Sequence, residues 1–125
     1  MNTNQAMDRP MKVSDAMKIV LGIMQKHLPE PTRYMTGSDL VHAVGPESDC
    51  SLSVGLKPFQ SFPAGIARDA KTGKPLFGLR IDITVPIRDP WPEAKSRIDV
   101  AFRYARAAAE IEVAFGNFQL VEDCS

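Results

Sequence analysis

The sequence predicts a single α+β domain, and three observations predict it. Apolar residues recur at helical spacing near both ends, and they alternate at strand spacing in the middle. Proline and glycine cluster between these stretches, where the chain must turn. The expected order is an N-terminal helix, a short helix, a three-stranded antiparallel meander and a long C-terminal helix. A flexible arm over residues 1–12 precedes a domain over residues 13–125.

The first helix begins after Pro10. Ser14 offers an N-cap, and Asp15 sits in the first turn, where a negative charge suits the helix dipole. Val13, Met17, Val20, Met24 and Leu28 recur at steps of three and four. Ala16, Ile19, Ile23 and His27 widen the same face into a broad buried stripe. Pro29-Glu30-Pro31 ends it. The short helix is expected from Ser38 through Leu40, Val41, Ala43 and Val44, stopped by Gly45-Pro46.

The middle of the chain has strand character. Leu52, Val54 and Leu56 alternate with Ser51, Ser53 and Gly55. Phe62, Ala64 and Ile66 alternate more weakly, because Pro63 and Gly65 interrupt and Pro63 has no N–H for a ladder. Asp69, Thr72 and Gly73 then supply turn chemistry, with Gly73 free to take positive φ. Phe77, Leu79, Ile81, Ile83, Val85 and Ile87 form the longest alternation in the chain, predicting a central strand with six inward positions. Arg80, Asp82 and Thr84 lie on its other face, which is solvated or functional.

Pro92 and Glu93 open the second long helix. Ile98, Phe102, Ala105 and Ala109 make one apolar stripe; Tyr104, Ala108, Ile111 and Phe115 make its neighbour. Lys95, Arg97, Arg103 and Arg106 precede Glu110 and Glu112, which sets bases early and acids late, against the helix macrodipole. The alternative is a hairpin over residues 110–122 turning at Gly116-Asn117. The helix is favoured because no breaker lies between Ala105 and Glu112.

Composition bounds the function. The chain has 125 residues, 44% hydrophobic and 24% charged, enough for one core and too apolar for wholesale disorder. Its 15 basic and 15 acidic residues cancel, which argues against a surface that is basic all over. The cancellation is local, however. Residues 68–106 carry nine bases against five acids, and residues 107–125 carry four acids and no base. Such polarity suits either an anion-binding face or a head-to-tail contact between copies. Two cysteines, Cys50 and Cys124, make no disulfide framework, and residues 1–10 lack a signal-peptide apolar core. A reducing, cytoplasmic setting is therefore expected, with no membrane span.

No spacing characteristic of a catalytic or metal site occurs. His27, His42 and Cys50 show no paired ligand spacing, so no metal and no cofactor are assigned. His42 and Asp39 or Asp49 near Cys50 and Ser51 lack a nucleophile motif. Trp91 between Pro90 and Pro92, and Phe59 and Phe62 in a proline-bearing segment, are instead stiffly held aromatics of the kind found at protein interfaces.

The sequence reading is thus a small non-enzymatic binding or regulatory protein. It acts through protein–protein contacts at Phe59, Phe62 and Trp91, and forms a homodimer by pairing exposed sheet edges. One alternative is a small-molecule binder or enzyme with a pocket between sheet and helices, using His42, Arg80, Asp82 and Arg88 as anion or ligand contacts. Another is nucleic-acid binding through Arg80, Arg88, Arg97 and Arg103, which the neutral overall charge disfavours.

Overall fold

The computed structural model describes residues 10–45, 50–61, 65–85, 94–116 and 118–122. The elements are β1 (Met11–Lys12), α1 (Val13–His27), β2 (Arg33–Thr36), β3 (Val41–Val44) and β4 (Ser51–Pro58). They continue with β5 (Gln60–Ser61), β6 (Gly65–Ile66), β7 (Phe77–Thr84), α2 (Ala94–Phe115) and β8 (Leu120–Val121). Six strands form one mixed sheet in the order β1-β8-β7-β4-β3-β2, and β5 and β6 pair separately.

This arrangement overturns the three-stranded meander. Of the expected middle strand over residues 62–66, residues 62–64 lie outside the described ones and Gly65–Ile66 pairs with β5, while β4 pairs directly with β7, from Ser51 opposite Thr84 to Pro58 opposite Phe77. Pro63 and Gly65 already weaken that segment's pattern, and Gly65 takes φ +89°. The short helix over residues 38–44 is also overturned, because Val41–Val44 is strand β3. Val41 and Ala43 are buried while His42 and Val44 are half-buried, a period of two. Four residues are too few to separate that period from a helical one by sequence. β2 then adds antiparallel to β3, and β1 runs parallel to β8 at the opposite edge. Of the arm expected over residues 1–12, Met11 and Lys12 are strand residues, and residues 1–9 lie outside the described ones.

α1 buries Val13, Ala16, Met17, Val20, Ile23 and Met24, while Ile19 stays 44% exposed. Its N-cap is Lys12 rather than Ser14, with no side-chain capping bond. Lys26 and His27 in the last turn oppose the negative end of the dipole. α2 is helical throughout residues 111–115, so these residues form no hairpin strand. Both helices pack on one sheet face over Val41, Ala43, Leu52, Val54 and Leu79, and α2 contributes Tyr104, Ala107, Ile111 and Phe115.

Burial fades along β7. Leu79 is buried and Ile81 half-buried, but Ile83 is 40% exposed although it stands opposite the fully buried Leu52. The turn between Arg68 and Pro75 follows its sequence signals closely. Asp69 accepts from the Lys71 N–H and the Thr72 hydroxyl, and Gly73 adopts φ +74°.

Candidate functional site

The outer face of α2 carries the feature that most needs a partner. Ile98 is 49% exposed, Phe102 58% and Val113 85%, and Ala105 and Ala109 between them are exposed too. At about 100° per residue these five positions fall within an arc of about 80°, one stripe running ~22 Å along the helix. The buried residues Tyr104, Ala107, Ile111 and Phe115 occupy the opposite side. A helix with a polar outer face would need nothing further, whereas one apolar on both faces is usually covered on both. Exposed apolar surface of this kind makes the stripe a candidate site of association.

The flank of the stripe is charged. Arg103, Arg106 and Asp99 are exposed, and Glu110 reaches across to α1. There Glu110 accepts hydrogen bonds from His27 Nε2 at 2.7 Å and from Lys26 Nζ at 2.9 Å. The His27 bond, followed by the Lys26 bond, holds the Glu110 carboxyl below its ordinary value. This cluster ties the end of α1 to the C-terminal third of α2 and leaves the apolar stripe uncovered.

A second feature is a cleft of about 450 Å³ where the C-terminal end of α2 meets β4 and β7. Phe59, Leu79 and Phe115 give it apolar walls, and Lys57 and Glu112 stand among its lining residues. Gly78 also lines it, and a Cβ added there would reach ordinary van der Waals contact with Phe59, at 3.6 Å.

Deeper in the core, the Tyr104 hydroxyl shares a hydrogen bond of 3.1 Å with Thr32 Oγ1. Burial, and to a lesser extent the neighbouring Cys50, raises the Tyr104 pKa, while the Thr32 bond works the other way. Tyr34 is raised by burial and then by Tyr104. With Tyr104 fully buried and Thr32 7% exposed, the group is a structural lock without solvent access.

The residues singled out by sequence separate in space. Phe59 is half-buried in the cleft. Phe62, Trp91 and Arg88 lie outside the described residues, as does the side chain of Arg97. His42, Arg80 and Asp82 sit on the sheet face away from the helices, not in the cleft. His42 pairs with Ser53 and Ser53 with Asp82, placing His42 and Asp82 two strands, about 10 Å, apart. Arg80 and Asp82 pair with each other at 3.2 Å, both well exposed. Arg103 is exposed on α2, so it and Arg80 belong to opposite sides of the molecule.

Among the described residues no group of three or more His, Cys, Asp or Glu is placed to hold a metal, and no helix is long and apolar enough to cross a membrane. Sequence reasoning found Ile98, Phe102, Ala105 and Ala109 of the α2 stripe but neither Val113 nor the exposure of the stripe. The signal was available, since two apolar stripes on one helix exceed what a single sheet face covers. Compared with family models, curated proteins and solved structures, the chain matches none.

Proposed function

We propose that this chain is a non-catalytic binding protein of the cytoplasm that works through contact with other proteins. The observation that carries this reading is the uncovered stripe Ile98-Phe102-Ala105-Ala109-Val113. Phe102 stands near its centre, and a large aromatic surrounded by apolar neighbours is the usual anchor of an interface. The test compares affinity capture by wild type and by Phe102→Asp, with circular dichroism verifying that both are folded. Loss of specific partners on substitution supports the reading, and an unchanged set of captured proteins overturns it.

A second reading rests on the cleft. Its volume and its walls of Phe59, Leu79 and Phe115 suit a small, partly apolar ligand, with Lys57 and Glu112 available for polar ends. Thermal-shift screening of metabolites against wild type and Phe59→Ala tests it. A stabilising compound whose effect disappears in the variant is expected, and no stabilisation across a broad library removes the reading.

A further inference from the structure

We infer that the surface on α2 is occupied by a second copy of this chain, the two helices packing antiparallel about a two-fold axis. The inference rests on the protein-contact reading above and names the partner. Three observations converge on it.

The first is charge. Up to Arg106, α2 carries Lys95, Arg97, Arg103 and Arg106 against the single acid Asp99, whereas residues 107–115 carry Glu110 and Glu112 and no base. The first turn holds no acid and the last turn no base, so a lone α2 is charged against its own dipole. An antiparallel neighbour reverses this. Each basic stretch then runs alongside the acidic stretch and the negative helix end of the other copy, whereas a parallel neighbour would set like against like.

The second is shape. A two-fold axis crossing α2 between Ala105 and Arg106 brings Phe102 opposite Ala109 of the second copy, and Ile98 opposite Val113. Phe102 then meets the small Ala109 on both sides of the axis, the outer Ile98–Val113 pairs are apolar against apolar, and exposed Ala105 at the crossing lets the helices approach closely. A two-fold contact is self-complementary by construction, so one stripe supplies both sides.

The third is the geometry of the rest of the fold. α1 is held on the Glu110 flank by Lys26 and His27 and does not cover the stripe, and the sheet lies on the opposite side of the helix.

Sedimentation equilibrium of the full chain tests self-association. Wild type is expected at twice the chain mass, and Phe102→Asp and Ala109→Asp at the single-chain mass with unchanged circular dichroism. Orientation is read separately in a Cys124→Ser background, by treating Ile98→Cys and Val113→Cys proteins with a short bis-maleimide. Cross-linking between the two variants when mixed, with neither linking to itself, supports the antiparallel pair. Self-linking of Ile98→Cys, or a dimer that survives Phe102→Asp, overturns the inference.

A wild type that stays monomeric up to its solubility limit also overturns it. If Phe102→Asp then still loses captured proteins, the contact surface stands and only the second copy is removed. If capture is unchanged as well, both readings fall.

Discussion

The hydroxyls of Tyr104 and Thr32 lie 3.1 Å apart inside the core, joining α2 to the segment between α1 and β2. The bond is shielded from water, since both residues are buried. Losing one partner therefore costs more than the bond itself contributes, because the remaining hydroxyl stays buried and unsatisfied.

Tyr104→Phe is accordingly expected to destabilise the fold by about 1–3 kcal/mol, and adding Thr32→Val to recover part of that loss. Urea denaturation of the two single variants and the double variant measures the coupling. Independent, additive effects would contradict the bond.

The same tyrosine predicts an alkaline limb. Its pKa is raised in the folded state, chiefly by burial, so its contribution is complete below the ordinary tyrosine range and is lost as pH rises through the folded value. Thermal melts at rising pH should fall less steeply for Tyr104→Phe than for wild type.

Glu110 predicts the opposite limb. Its pKa is lowered, first by the His27 bond and then by Lys26, so the stability it contributes is present above the ordinary carboxylate range. That stability is lost as pH falls through the folded value. Glu110→Gln should flatten the acid side of the melting-temperature profile. An unchanged acid limb would show that the cluster contributes nothing to folding.

Leu52 is fully buried in the sheet centre, and Leu52→Ala should cost about 2–5 kcal/mol through lost burial and the cavity left behind. Arg80→Ala, which removes an exposed pair, should change stability by no more than about 0.5 kcal/mol. Paired denaturation curves with equal m-values check both.

Legibility in the sequence followed the length of each pattern. α1 was readable because its stripe persists over four turns, and the turn at Gly73 because Asp69, Thr72 and Gly73 each have a distinct local task. β1 and β8 contain two residues apiece, too few for any period to register, and β3 contains four. With β2 missed as well, the sequence supplies only β4 and β7 of the six strands. The α2 stripe failed for a different reason. Periodicity reports angles around a helix but not which side docks on the sheet, so Phe102 and Tyr104 looked equally internal. The reversed charge order along α2 says nothing about which side is buried; it weighs against a lone helix and is one of the features on which the proposed antiparallel pair rests.

The parallel pairing of β1 with β8 carries a consequence for how the chain folds. Met11 aligns with Leu120, residues more than a hundred apart in sequence, and the Met11 N–H donates to the Gln119 carbonyl. Joining them closes a loop of more than a hundred residues, which costs more entropy than a hairpin does, for only two residues of ladder. Hairpins such as β2–β3, and the longer β4–β7 pair, close much shorter loops. The β1–β8 edge is therefore the last part of the sheet to assemble and the first to open, and its amides should exchange with solvent well before those of β4 and β7.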